Sequence, residues 1–115
     1  MNITFEDFKK LDIRIGKILS AEKVEGTDRL LRLEVDFGSD PSTGSGRLRR
    51  QIVSGISEFY KPEDLLDKEF VFIVNLEPRK FMEVESQGMV LAADDGGKPV
   101  LLKPDKEVPV GSVVK

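Results

Sequence analysis

The chain contains no cysteine, no histidine and no tryptophan. The missing cysteine excludes a disulfide framework and thiolate zinc sites. The missing histidine removes the side chain that most often acts as a general base near neutral pH. Together the two absences exclude serine–histidine and cysteine–histidine nucleophiles and the common zinc centres.

Other catalytic arrangements receive little support. Chemistry based on carboxylates or lysine remains open, but no pair of acidic residues stands out, and no glycine-rich phosphate loop of the G-x-x-x-x-G-K type occurs. The sequence therefore favours a protein that is not an enzyme and that needs no cofactor and no metal.

Long apolar runs are also missing. No run approaches the ~20 residues that a membrane-spanning helix needs, and the apolar start at Phe5 to Phe8 is interrupted by Glu6 and Asp7. We therefore expect a cytoplasmic protein without a membrane partner. Its 115 residues suit a single domain, residues 1–115, that can bury its own core.

The charge balance does not resemble that of a typical nucleic-acid binder. The formal net charge is −3, from 18 lysines and arginines against 21 acidic residues. A nucleic-acid footprint can nevertheless be local, with the basic residues on one face of the molecule. The sequence alone does not place those residues in space.

Apolar periodicity predicts a mostly β protein. Thr4 to Asp7 has the form of a capping box and predicts a short helix from Phe5 to Lys10. Ile13 and Ile15 then alternate with other residues as in a strand, and the alternation slips after Gly16, which predicts a bulge or bend. The later predicted strands are Leu30–Phe37, Arg47–Val53, Phe70–Leu76 and Met89–Ala93.

The connections complete the fold prediction. Gly38 to Gly46 is rich in small and polar residues and predicts a flexible hairpin loop. Ser57 to Leu66 predicts a helical connector between strands 3 and 4, broken by Pro62. This order matches an all-β, five-stranded Greek-key barrel of the OB type, followed by a C-terminal extension from about residue 94. An SH3-like barrel or a small sandwich would give similar patterns.

The stretch from Asn75 to Ala93 carries the strongest candidate site. An apolar strand leads into it, Pro78 turns the chain, and two cations follow at Arg79 and Lys80. A small polar turn then precedes a second apolar run. Two strands joined by a polar loop with paired cations predict a binding site for an anionic polymer.

The chain resembles the tRNA-binding domain of the methionyl-tRNA synthetase C-terminal and beta-subunit family. The same domain occurs in stand-alone tRNA-binding proteins and in the endothelial monocyte-activating polypeptide precursor. The likeness rests on DIRIGKI at 12–18, VEGTDRLLRL at 24–33, RQIVSGI at 50–56, NLEPRK at 75–80 and VESQGM at 84–89. The turn at 25–28, Glu-Gly-Thr-Asp, is closer to the synthetase-fused branch than to the stand-alone members.

The resemblance implies an OB barrel, a homodimer formed with help from residues 94–115, and sequence-tolerant binding of tRNA through its shape. It also implies a set of tRNA-binding residues, to which the local pattern adds Arg50 and Gln87. The expected set is Arg29, Arg50, Asn75, Arg79, Lys80, Ser86, Gln87 and Met89.

Each of these residues also has a purely structural interpretation. Arg79 and Lys80 could be solvated loop charges, and Met89 could belong to the core. Asn75 could cap strand carbonyls, while the turn residues Ser86 and Gln87 could instead offer exposed polar groups to a ribose 2′-hydroxyl. Most phenylalanines fit the core, so no aromatic stacking platform is expected, which favours recognition of folded RNA shape.

The sequence therefore predicts a non-catalytic tRNA-binding module that assists methionyl-tRNA synthetase, either joined to its catalytic body or as a beta subunit. One alternative is a dimeric export chaperone of the CsaA type, which binds unfolded polypeptide. Another is a dimerisation domain of a synthetase.

Overall fold

The computed structural model describes residues 1–39 and 46–115. The predicted loop from Gly38 to Gly46 therefore falls mostly on residues outside that description. The helices are α1 (Phe5–Phe8) and α2 (Pro62–Leu65). The strands are β1 (Ile13–Lys23), β2 (Leu31–Ser39), β3 (Arg47–Ser54), β4 (Glu69–Ile73), β5 (Arg79–Phe81), β6 (Val84–Ser86), β7 (Met89–Val90), β8 (Ala92–Asp95), β9 (Lys98–Leu101) and β10 (Val113–Val114).

The main sheet has the order β3-β2-β1-β4-β7, and β10 pairs with the start of β1. All of these pairings are antiparallel. β1 is long and bent, so its first half pairs with β4 and its second half with β2. This curled sheet confirms the predicted all-β fold of the OB type.

Both predicted helices are present and short. Thr4 caps α1, because its hydroxyl accepts a hydrogen bond from the N–H of Asp7 at 3.1 Å. α2 begins with Pro62 in the connection between β3 and β4, where its missing N–H costs no helical hydrogen bond. In the described parts of the chain, neither helix has the length and apolar character needed to cross a bilayer.

The core follows the alternation read in β2. Leu31, Leu33, Val35 and Phe37 are all buried, and the ring of Phe37 meets that of Phe72 edge to face at 5.4 Å. The bulge or bend predicted after Gly16 is confirmed, because the register of β1 against β2 shifts between Ile18 and Ser20.

Gly16 is explained by close packing. A Cβ at this position would stand 2.5 Å from Cγ1 of Val35 and 2.6 Å from Cε1 of Phe37. The glycine therefore leaves room for core side chains from β2, where any larger residue would force them to move.

Several predicted elements differ from the structure, and α1 ends at Phe8, before the predicted end at Lys10. β4 ends at Ile73, before the predicted end at Leu76, and the predicted strand from Met89 to Ala93 is divided between β7 and β8. The polar loop between β4 and β7 contains a hairpin of its own, β5–β6. Local alternation is weak over three-residue strands, so the sequence pattern does not reveal this hairpin.

The C-terminal segment returns to the barrel. Leu101 of β9 is buried in the core, and Ile15 exchanges backbone hydrogen bonds with Gly111 and Ser112 at 2.8 and 2.9 Å. Some of the apolar residues in the segment 94–115 are therefore explained by packing of this segment against the chain's own sheet. Val100, Leu102 and Val113 remain exposed.

The outward face of β1–β3 carries paired charges. Arg32 pairs with Glu22, Arg49 with Glu34 at 3.7 Å, and Arg47 with Asp36 at 2.5 Å. Burial alone would raise the pKa of the Asp36 carboxyl, but hydrogen bonds from Arg47 and from the Gly38 N–H hold that pKa below its ordinary value.

Replacing Asp36 with asparagine is expected to weaken the fold in a pH-dependent way. A depressed folded pKa means that the carboxylate stabilises the protein above its unfolded pKa, and that this contribution disappears as pH falls through the folded pKa. Because the Arg47 side chain is half exposed, we expect a loss of only about 1–2 kcal/mol at about pH 7. Denaturant unfolding should show a much smaller difference in unfolding free energy between the wild type and the variant at about pH 2 than at about pH 7. An equal difference at both pH values would contradict the proposed role of the Asp36 carboxylate.

Candidate nucleic-acid interface

The β5–β6 hairpin stands in the connection between β4 and β7. Its strands pair Arg79 with Ser86, Lys80 with Glu85 and Phe81 with Val84. The two turn residues, Met82 and Glu83, both have positive φ (49° and 70°), as a tight two-residue hairpin turn requires. Neither is a glycine, so the turn holds its tip in a strained conformation.

Ser86 and Gln87 anchor this hairpin to the edge of β3. Ser86 Oγ accepts a hydrogen bond from the Val53 N–H and donates one to the Gly88 carbonyl, both at 2.9 Å. The backbone N–H of Gln87 donates to the Gln51 carbonyl at 2.8 Å, and the Gln87 side-chain oxygen accepts from the Gln51 N–H at 3.0 Å. These bonds link β3 to the segment that leads into β7.

The expectation that Ser86 offers an exposed polar group is wrong, because the residue is only 3% exposed. Its hydroxyl satisfies the backbone of β3, where an unpaired buried N–H would be costly. Gln87 is half-buried, and its side-chain oxygen is engaged in the same way. The structure thus gives both residues a positioning role towards the hairpin.

Arg79 and Lys80 are both exposed, but they project from opposite faces of the hairpin, since neighbouring strand residues alternate. Arg79 shares its face with Phe81, and the two line a slot with Val53 and Met89. Lys80 lies on the other face, opposite Glu85. Within the described residues, no carboxylate lies within ion-pairing distance of either cation.

Arg50 occupies an inward position of β3, opposite Val35 of β2. One terminal nitrogen of its guanidinium donates to the Gln87 carbonyl at 3.4 Å, and its Nε is buried without a partner among the described residues. The side chain also lines a cleft at the end of β4 that includes Asn75 and Arg14. Arg50 therefore differs from Arg47 and Arg49, which belong to the outward ion pairs.

Arg29 lies in the turn between β1 and β2, and its side chain is 82% exposed. Oε1 of Glu58 lies 4.0 Å from Nε of Arg29, a separation that constrains an exposed arginine weakly. The same turn meets the hairpin tip, because the Met82 methyl group lies 3.9 Å from where a Cβ of Gly26 would stand. The turn of Arg29 and the β5–β6 hairpin thus border one another.

Asn75 has a structural role. Its side-chain oxygen accepts from the Asp12 N–H at 2.8 Å, and its amide nitrogen donates to the Lys10 carbonyl at 2.6 Å. These bonds tie the segment after α1 to the end of β4. The interpretation that Asn75 satisfies backbone groups therefore matches its contacts.

Met89 is not a core residue. It is 46% exposed, whereas its neighbour Val90 is buried. In the slot it stands with Arg79 and Phe81, at the foot of the hairpin. The apolar run that begins at Met89 thus turns to the core one residue later.

The sequence interpretation overlooked three apolar side chains at this edge. Phe81 lies beneath Arg79, Met82 forms the tip, and Leu76 lines the slot. The i, i+2 spacing of Arg79 and Phe81 would have been informative had β5 been recognised as a strand. In the described part of the chain, no group of three or more acidic side chains is placed to hold a metal ion.

Comparison with known proteins places this edge in a family context. Residues 13–113 match the family described as "Putative tRNA binding domain". The chain is 51% identical over 113 residues to the methionine–tRNA ligase of Methanothrix thermoacetophila and 53% identical over 112 residues to that of Archaeoglobus fulgidus. These matches cover 98% and 97% of this chain but only 16% of each ligase.

Two solved structures are similar over the full chain. A MetRS-related protein from Pyrococcus horikoshii is 40% identical with a TM-score of 0.88, and covers 100% of this chain and 99% of its own. The chaperone CsaA of Bacillus anthracis is 35% identical with a TM-score of 0.84, and both chains are covered completely.

Proposed function

Because the chain belongs to the tRNA-binding-domain family, we propose that it is a non-catalytic module that grips tRNA along the β5–β6 hairpin and assists methionyl-tRNA synthetase. The family resemblance read from the sequence motifs is confirmed. One observation carries the choice of surface: Arg79 and Lys80 are exposed on an anchored hairpin, whereas the arginines on the outward face of β1–β3 are paired with carboxylates.

The proposed contacts differ in kind. Arg79, Lys80 and Arg29 neutralise phosphates, which sets the register of the RNA without reading its sequence. Arg50 supports the same edge from the middle of β3, and Met89 packs against a base or ribose at the foot of the hairpin. Ser86, Gln87 and Asn75 act by holding these residues in place.

Opposite projection of Arg79 and Lys80 has a geometric consequence. A hairpin with one cation on each face contacts two phosphates best when it enters a groove or a bend between backbone segments. A folded tRNA offers such sites, where backbone segments converge. This favours recognition of tRNA shape, because the hairpin requires a particular arrangement of phosphates and no particular bases.

Assistance to a synthetase follows from effective concentration. A domain that binds tRNA weakly and without sequence preference raises the local concentration of tRNA at a catalytic body to which it is joined or bound. Under this proposal residues 1–115 act as one tRNA-binding domain in the cytoplasm. The exposed apolar residues of the segment 94–115, namely Val100, Leu102 and Val113, help form a homodimer that presents two grips.

Binding of unfolded polypeptide is a second candidate function. Met82, Met89 and Leu76 are exposed along the same edge, and methionine adapts to varied apolar partners. The structural similarity to the chaperone CsaA points in the same direction. The unpaired cations beside these residues favour tRNA as the principal ligand.

Filter binding of the wild-type chain distinguishes the two candidates. We expect tRNA to be retained at low salt, with the logarithm of the affinity falling linearly with the logarithm of the salt concentration. An excess of reduced, alkylated polypeptide should leave this retention unchanged. Absence of tRNA retention at low salt, together with capture of the polypeptide, would replace the tRNA proposal by the chaperone proposal.

A further inference from the structure

Arg79 and Phe81 form a cation–π pair on one face of β5. The guanidinium carbon of Arg79 lies 5.0 Å from the centre of the Phe81 ring. The pair is held by strand geometry, because residues two apart on a strand share a face. Ser86, the partner of Arg79 in β6, fixes that face against β3 through its buried hydroxyl.

The guanidinium of Arg79 lies over the Phe81 ring and is accessible. Phe81 is half-buried, while Arg79 itself is exposed. A cation over an aromatic ring is attracted by the negative face of the ring, which limits the rotamers of a long side chain. The outer face of the guanidinium plane is therefore presented to the surroundings in a preferred orientation.

We propose that this pair is a stacking platform for a single unstacked nucleobase of the bound RNA. The inference rests on the proposed tRNA-binding function and adds the chemistry of one contact. Nucleobases stack on arginine planes as well as on aromatic rings, and the contact tolerates any base because every base has a π face. A phenylalanine behind the arginine supplies the support that a lone surface arginine lacks.

The surroundings of the platform suit a base. Leu76 and Met89 expose apolar surface beside Arg79, and Glu77 lines the same slot, so that the edges of a stacked base would meet apolar surface and one carboxylate. The slot under the pair is small, with a volume of about 60 Å³. The base therefore lies on the outer face of Arg79 and does not enter the slot.

Phe81 differs in its surroundings from the phenylalanines of the core and of α1. Phe37 and Phe72 pack edge to face in the core, and Phe5 and Phe8 stack on each other at α1. Phe81 instead lies on a projecting hairpin under a cation that no carboxylate of the described residues neutralises. A purely structural Phe81 would require only apolar bulk against Val53, and leucine would supply that.

Two conservative variants separate stacking from charge. Arg79→Lys keeps the positive charge but removes the planar group, and Phe81→Leu keeps apolar volume but removes the ring. Each variant should lower tRNA affinity roughly 5- to 150-fold, the range of losses seen when a base–aromatic stack is removed. Affinity for a blunt RNA duplex, whose bases are all paired, should stay within about twofold of wild type, and the salt slope of Arg79→Lys should be unchanged.

Matched controls use the same exchanges elsewhere. Arg32→Lys replaces an ion-paired arginine on the outward sheet face, and Phe59→Leu replaces an exposed aromatic away from the hairpin; both should bind tRNA like wild type. If the Phe81→Leu variant does not fold, the Arg79→Lys variant alone tests the stacking platform, because the Arg79 side chain is exposed and its replacement should leave the fold intact. Wild-type affinity of Arg79→Lys for tRNA would overturn the platform while leaving the tRNA proposal intact, whereas no tRNA binding by the wild type would remove both.

Discussion

Replacing Gly88 with alanine is expected to lower the free energy of unfolding by roughly 2–4 kcal/mol. Gly88 has a φ of +147°, which an L side chain rarely adopts. A Cβ there would stand 2.8 Å from the carbonyl oxygen of Ile73 and 2.9 Å from Cδ1 of Ile52. The backbone oxygen belongs to a paired strand of the sheet and has little freedom to move away.

The same substitution should also weaken tRNA binding. Gly88 accepts the hydrogen bond of the buried Ser86 hydroxyl and immediately precedes Met89. Displacing Gly88 therefore disturbs the junction that holds the hairpin against β3. Gly55→Ala is the matched control, because nothing lies within 4 Å of a Cβ at that position. Equal denaturant midpoints for the two variants would contradict this account of Gly88.

Replacing Arg79 and Lys80 together with alanine is expected to lower tRNA affinity about 100-fold at low salt. A hydrogen bond to a charged group contributes at least about 1.5 kcal/mol, and two such losses correspond to about a hundredfold change. Because both side chains are exposed, the free energy of unfolding should change by less than about 0.5 kcal/mol. Filter binding and denaturant unfolding measure the two quantities separately.

The matched control removes the same net charge away from the hairpin. Lys68 and Lys103 are exposed and line a cleft with Tyr60 and Phe70. The double variant Lys68→Ala, Lys103→Ala should retain tRNA affinity within a fewfold of wild type. An equal loss in both double variants would mean that general electrostatic attraction, and not the hairpin, binds the RNA.

Much of the fold could be predicted from the sequence because the long strands have strong patterns. The alternation of β2 places its apolar side chains in the core as expected, and Thr4 marks the start of α1. Pro62, predicted to break the connector, instead begins α2. Weaker patterns failed where elements are short. The β5–β6 hairpin turns at Met82 and Glu83, which lack the usual turn chemistry of asparagine and glycine.

The candidate site could be predicted only in part. Arg79 and Lys80 were found from their place after Pro78, but sequence cannot show that they project from opposite faces of a ribbon. The burial of Ser86 could not be predicted, because its hydroxyl accepts a hydrogen bond from the backbone N–H of Val53, 33 residues away in sequence. Such long-range pairings depend on how the barrel edges meet, and a polar turn residue gives no sign of them.

The salt dependence of tRNA affinity reports how many phosphates the hairpin cations neutralise. It should be measured for the wild type and for the Arg79→Ala, Lys80→Ala variant over the same salt series. Each lost phosphate contact lowers the slope of log affinity against log salt by about 0.7–0.9. The account predicts a decrease of about 1.4–1.8 for the double variant, and an unchanged slope would contradict it.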